Sequence, residues 1–224
     1  INNTNKAAYP VSGTCSENTR TVTVVVGGVS ATPTCSALAW STSVNVTGVS
    51  DGGSIAVTAD HTDAAGNAAT QATASVLKDT VIPTVAISSS PSINNANRTA
   101  YVVSGTCSEN TRAVTVNVGS VSGSGTCTSL AWTATLNVTT VSDGASVAVT
   151  ADHTDLAGNA ATQAATTVLK DTSNPTVAIT SSPVINQSNN AAYTVSGTCS
   201  ENTRTVTVSV GGVSGTPTCT ALAW

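Results

Sequence analysis

Along most of this chain apolar and polar residues alternate one for one. Tyr9, Val11, Gly13 and Cys15 are separated by polar or small residues, and after a break at Ser16-Glu17-Asn18-Thr19-Arg20 the alternation resumes in Thr21-Val22-Thr23-Val24-Val25-Val26. A period of two is that of a half-buried strand, whose successive side chains point to opposite faces. Gly27-Gly28 then supplies the positive-φ positions of a tight hairpin. A turn centred between those glycines sets Cys35 opposite Arg20 and within reach of Cys15, at the short separation a disulfide requires. Leu38, Trp40, Val44 and Val46 share parity and are expected to form the next inward set, with an indole N–H on Trp40 that needs a partner. Residues 49–53 read as a turn, after which Ile55, Val57 and Ala59 face in and residues 68–77 form a last, small-residue strand. No stretch shows the period of a helix.

The pattern recurs. Cys15, Cys107 and Cys199 are evenly spaced (107 − 15 = 199 − 107 = 92), and the same step links Tyr9 to Tyr101 to Tyr193 and Trp40 to Trp132 to Trp224. A 92-residue unit is too long for a solenoid turn and suits one small domain, so the chain divides into 1–80, 81–172 and 173–224. The copies also decide which face points inward. Val25 becomes Asn117 and Ser209, whereas Val22, Val24 and Val26 stay valine in all three units. The valine set is therefore the core side. With about seven short strands per unit, the expected fold is all-β, a tandem series of β-sandwiches. Pro83 and Pro175 mark the linkers between units.

Composition narrows the partners. Of 224 residues 40% are hydrophobic, 3% aromatic and 8% charged, with no Phe and no Met, so Val, Ala, Ile and Leu must build thin cores. Ser, Thr and Asn supply the polar surface. The net charge is −4 and no Lys/Arg cluster exists to track phosphates, which argues against nucleic acid. No apolar run approaches the roughly 20 residues that cross a bilayer. The absence of an initiating Met reads as a piece of something longer. The six cysteines fall in three equivalent pairs, Cys15/Cys35, Cys107/Cys127 and Cys199/Cys219, without CxxC or clustered His, which favours disulfides in an oxidising compartment over zinc. Free buried thiols are the alternative.

The run Ser-Gly-Thr, Val-x-Val, Leu-Ala-Trp, Val-Thr-Ala-Asp, Asp-x-Ala-Gly-Asn and Lys-Asp-Thr followed by Pro resembles the bacterial immunoglobulin-like repeats of large surface adhesins and extracellular fibres. Its most specific parts are Asp63, Ala65, Gly66 and Asn67, repeated as Asp155, Ala157, Gly158 and Asn159, and Asp79, Thr80 and Pro83, repeated as Asp171, Thr172 and Pro175. The resemblance implies seven-stranded immunoglobulin-like sandwiches displayed outside the cell, often with calcium stiffening the joints. The cysteine pair is a departure from many such repeats. In a bacterial-type chain the Asn45 and Asn137 sequons are expected to stay bare.

If the immunoglobulin-like strand order holds, the early loop and the late hairpin of a unit lie where the preceding unit exits. At the first junction this gathers Asp79, Glu109, Asn110, Asp152, Asp155 and Asn159, and at the second Asp171, Glu201 and Asn202 begin an equivalent set. Hard oxygen donors from several segments are what Ca²⁺ takes. Asp and Asn in a Gly-containing turn also serve ordinary hairpin chemistry, bonding their own backbone, and both readings stand at this point. His61 and His153 occur once per unit in the same turn, too far apart to share a metal. Lys78, beside Asp79, reads as a solvated linker charge rather than an isopeptide donor.

A catalytic role has little to build on, because the cysteines are committed, each His stands in a repeated turn, and Asp60 with Asp63 lacks an aromatic sugar platform. The first unit lacks the strand that residues 84–90 bring to the second, and the third stops mid-domain. Either the chain is a window on a longer array, or neighbouring copies donate strands by β-strand complementation. The expected function is a non-catalytic extracellular stalk or fibre, and the alternative is a module that binds carbohydrate or another surface.

Overall fold

The computed structural model describes all of residues 1–224 as strands, turns and loops, and no helix is long and apolar enough to cross a membrane. Ile1–Lys170 form one compact unit and Asp171–Trp224 another. The first repeat contains β1 (Tyr9–Thr14), β2 (Val22–Val26), β3 (Val29–Ala31), β4 (Ala39–Val44), β5 (Gly52–His61) and β6 (Ala72–Lys78). The second contains β7 (Val85–Ser89), β8 (Tyr101–Cys107), β9 (Ala113–Val118), β10 (Val121–Thr126), β11 (Ala131–Leu136), β12 (Gly144–His153) and β13 (Ala164–Lys170). The second repeat is thus a seven-stranded immunoglobulin-like sandwich, with sheet order β10-β9-β12-β13 against β11-β8-β7. Its fourth strand pairs with the third rather than the fifth. In the first repeat the sheets are β3-β2-β5-β6 and β1-β4.

The core is the valine side of the alternation. Val22, Val24 and Val26 are buried, as are Val114, Val116 and Val118, while Val25 and Asn117 point the other way. Gly27 and Gly28 take φ of 56° and 87°, and the hairpin they turn pairs Val26 with Val29 and Val24 with Ala31. Carried further, the register lets the Cys35 N–H donate to the Arg20 carbonyl at 2.8 Å. Cys35 is bonded to Cys15, and Cys107–Cys127 and Cys199–Cys219 repeat the link, with Cα separations of 6.0, 6.0 and 6.1 Å. No cysteine is free. In the chain-entropy view each closed loop contributes roughly 3 kcal/mol. The Trp40 indole donates to the Thr14 carbonyl at 3.2 Å, and Trp132 to that of Thr106 at 3.0 Å. Gly105 is required there, since a Cβ would lie 1.8 Å from the Ala86 carbonyl oxygen and 2.7 Å from the Trp132 ring.

Three expectations need correction. Leu38 is 51% exposed rather than inward, because Ala37 and Leu38 both adopt positive φ (51° and 60°) in a tight turn closed between Ser36 and Ala39. Its backbone does the anchoring instead: the N–H donates to Asn18 Oδ1 at 2.8 Å and the carbonyl accepts from the Cys15 N–H at 3.0 Å. The last strand of the first repeat starts at Ala72, later than residue 68. Finally, Lys78 is not a solvated charge. It is 3% exposed and its ammonium lies 2.7 Å from Asp51, with Lys170 and Asp143 repeating the pair at 2.6 Å. Gly52 pairs with Lys78 across the register shift that precedes Ile55, which sets Asp51, the residue before β5, beside the lysine and offers its charge a partner. The Lys78 ammonium, with the Thr80 N–H, pulls the Asp51 carboxyl down to about 2.

In the second unit β14 (Val177–Ser181) pairs with β15 (Ser196–Cys199), and β16 (Val208–Val210) with β17 (Val213–Gly215). The same Trp bond recurs, from Trp224 to the Thr198 carbonyl at 3.1 Å.

Candidate functional site

Each β5–β6 or β12–β13 connection is a short hairpin tied by its own Asp and Asn. The Asn159 N–H donates to Asp155 Oδ1 at 2.7 Å and its side-chain amide to Asp155 Oδ2 at 2.6 Å; Asn67 and Asp63 do the same at 2.7 Å each. Those donors, the Asn67 side chain foremost, hold the Asp63 carboxyl below the usual range. The geometry repeats because it follows from local sequence: the αL glycine (Gly66 at φ 91°, Gly158 at 90°) folds the loop back on the aspartate. Arginine from the early loop braces it: Arg112 Nη2 donates to the Asp155 carbonyl at 3.2 Å, as Arg20 does to that of Asp63 at 3.0 Å. His61 and His153 end their strands, with Nδ1–H donating to the Thr21 and Ala113 carbonyls at 3.3 and 3.1 Å.

At the joint between the first two repeats the linker, early loop and late hairpin converge. Asp79, Glu109 and Asp155 present carboxylate oxygens that all lie within 4.8 Å of one another. Glu109 behaves differently from its counterpart here. Glu17 accepts the Ala64 N–H at 3.1 Å and so caps its own hairpin, whereas Glu109 turns its carboxylate toward the two aspartates. Two oxygens each about 2.4 Å from one Ca²⁺ can be no more than about 4.8 Å apart, a limit that all three pairs of carboxylates meet.

The other candidates are placed elsewhere or otherwise engaged. Asn110 Oδ1 accepts the Leu130 N–H at 2.8 Å, and Asp152 takes the Gln163 side-chain amide at 2.9 and 3.0 Å on the outer face of β12. Asn159 reaches the joint but through hydrogen bonds: its amide also donates to the Asp79 carbonyl at 2.9 Å, and its Oδ1 accepts the Asn3 N–H at 2.7 Å. In the second unit Asp171 caps the Ser173 N–H at 3.0 Å, Glu201 pairs with Arg204 at 3.5 Å and Asn202 accepts the Leu222 N–H at 2.8 Å. Sequence reasoning missed the part played by Asn2 and Asn3. Their recurrence as Asn94 and Asn95 was the only available signal.

No family model and no curated protein matches this chain. Among solved structures, it is similar to one described as giving structural insight into host cell surface retention of a 1.5-MDa bacterial ice-binding adhesin, at 24% identity and TM-score 0.41, over 100% of this chain and 81% of that one. A tetra-tandem repeat from the extending region of a large adhesion protein matches at 21% identity and TM-score 0.40, over 98% of this chain and 61% of that one. Fibronectin(III)-like modules of Clostridium thermocellum CbhA match at 15% and 0.47, over 72% and 86%.

Proposed function

We propose that this chain is a non-catalytic segment of an extracellular stalk or fibre, whose disulfide-closed sandwiches are stiffened at their joints by bound calcium. The observation that carries this reading is the convergence of Asp79, Glu109 and Asp155, contributed by one repeat's exit linker and the next repeat's early loop and late hairpin. A cation held by both sides converts binding free energy into resistance to bending. The three disulfides favour an oxidising, extracellular location. The partners are neighbouring repeats or copies of the same chain. In this chain β1 pairs only with β4, and a strand with the sequence of β7 would complete that sheet as β7 completes the sheet of β8 and β11.

Calorimetric titration of the metal-stripped chain with Ca²⁺ tests the joint. We expect saturable binding that is abolished by Glu109→Gln and retained in Glu17→Gln. No heat from the wild type, or equal binding by Glu109→Gln, would overturn the calcium joint.

A further inference from the structure

Asn159 is 3% exposed, and every polar atom of its side chain is used. Its two amide hydrogens go to Asp155 Oδ2 and the Asp79 carbonyl, and its Oδ1 receives the Asn3 N–H, 156 residues away in sequence. Beside it, Asn2 Nδ2 donates to the Ala157 carbonyl at 3.0 Å. These bonds join the first repeat's lead loop and exit to the second repeat's hairpin, and none of them needs a metal.

We infer that the Asp-x-Ala-Gly-Asn hairpin is a docking element that recognises the Ile-Asn-Asn lead loop of another repeat of this sequence, with Asn159, and its counterpart Asn67, as the residue that reads it. Both halves are built before they meet. The lead loop is shaped by its own asparagines: Asn2 N–H donates to Asn5 Oδ1 at 2.8 Å, while Asn2 Oδ1 accepts the Thr4 and Asn5 N–H groups at 3.0 and 3.1 Å. That occupies the Asn2 oxygen and leaves its NH₂ for the hairpin. Asn94 and Asn97 build the same loop in the second repeat, at 2.8 Å, and Asn186 and Asn189 in the third, at 2.8 Å. The receiving hairpin is equally preformed, since Asn67 holds Asp63 as Asn159 holds Asp155. Asn67 remains exposed where Asn159 is buried by the docked lead. Two prearranged surfaces lose little conformational freedom on meeting, so a few directional bonds suffice.

The chemistry also explains the residue type. The reader must donate to a carboxylate and a carbonyl while accepting from a backbone N–H, which an amide does and a carboxylate does not. Asp155 is a positioning residue in this scheme, since it orients the amide. The inference rests on the stalk reading and deepens it by naming what one repeat recognises in the next, and it stands independently of the cation.

Residual dipolar couplings measured on the full chain in EDTA test it. The wild type is expected to give one shared alignment tensor for residues 1–78 and 85–170. Asn159→Asp removes the donor amide and should split that tensor in two. Asn2→Asp keeps the oxygen that shapes the lead loop but loses its NH₂, and should split it as well, while Asn67→Asp, the same change in the undocked hairpin, should leave it shared. Hairpin amide shifts report whether Asn159→Asp disturbs only its own loop, in which case Asn2→Asp decides. A shared tensor in both Asn159→Asp and Asn2→Asp would overturn the inference. So would a wild type whose tensor splits in EDTA alone, because the cation would then set the joint. Failure of the calcium reading shows separately, as absent heat in the titration.

Discussion

Tyr101 and Val103 of the second repeat are fully buried, whereas Tyr9 and Val11, at the same positions of the first, are half exposed. Around Tyr101 the buried residues form one cluster running from Ile93 to Val168. In the first repeat they fall into two, one of Ile1, Val26, Val44 and Val46, the other of Val22, Val24, Cys35 and Trp40. The inward-facing residues are nearly the same in both. What differs is β7, which pairs with β8 and packs Val85 and Ile87 against the core. Alternation therefore decides which face a side chain takes, and a strand contributed from outside the alternating block decides how deeply it is buried.

Truncating the central tryptophan should expose that difference most strongly. Trp132→Ala is expected to cost the second repeat about 3–5 kcal/mol, in the range for large aromatic deletions from a closed core. Trp40→Ala should cost the first repeat less. Hydrogen exchange resolved by repeat would measure both, and equal losses would contradict the idea that β7 completes the core. A smaller change should make the two repeats alike. Gly105→Ala forces a methyl group into the Ala86 carbonyl, so β7 must withdraw at a cost of about 1–3 kcal/mol. Tyr101 should then gain the partial exposure of Tyr9, which quenching of its fluorescence would report. Unchanged accessibility would show that another element covers it.

The smallest effect is expected from acid. Asp51, held down to about 2 chiefly by Lys78, has a folded-state pKa below its unfolded value. Its contribution to stability is therefore complete above about pH 4 and is lost as the pH falls toward 2. Carboxyl carbon shifts of Asp51 followed through this window would check it. A midpoint near 4 would mean that the ion pair does not hold the turn against β6, and Asp51→Asn should flatten this part of the stability profile.

Much of the local architecture could be read from the residues. Invariant valines marked the core side, and Gly27-Gly28 set a register from which the Cys15–Cys35 bond followed, because hairpin pairing propagates residue by residue. Leu38 was misplaced because parity counts only while the backbone stays extended, and nothing about Ala37-Leu38 advertises two consecutive positive-φ residues. Lys78 was misplaced because a lysine enters an interior only beside a partner, and Asp51 lies 27 residues away. The acidic site was legible in part. Topology alone brought linker, early loop and late hairpin to one end, but Asp152 shares the parity of the outer face of β12 and pairs with Gln163 there.

By itself, then, the sequence determined what is local and periodic: strands, hairpin turns, disulfide partners and the Asp–Asn hairpin, all governed by interactions over a few residues or along one register. Only the tertiary structure decided what depends on distant segments meeting. Burial of Tyr101 awaits β7, and burial of Asn159 awaits a lead loop from the other end of the preceding repeat. Glu109 faces Asp79 and Asp155 only because three separate connections end at the same pole, and no short-range preference in the chain encodes that encounter.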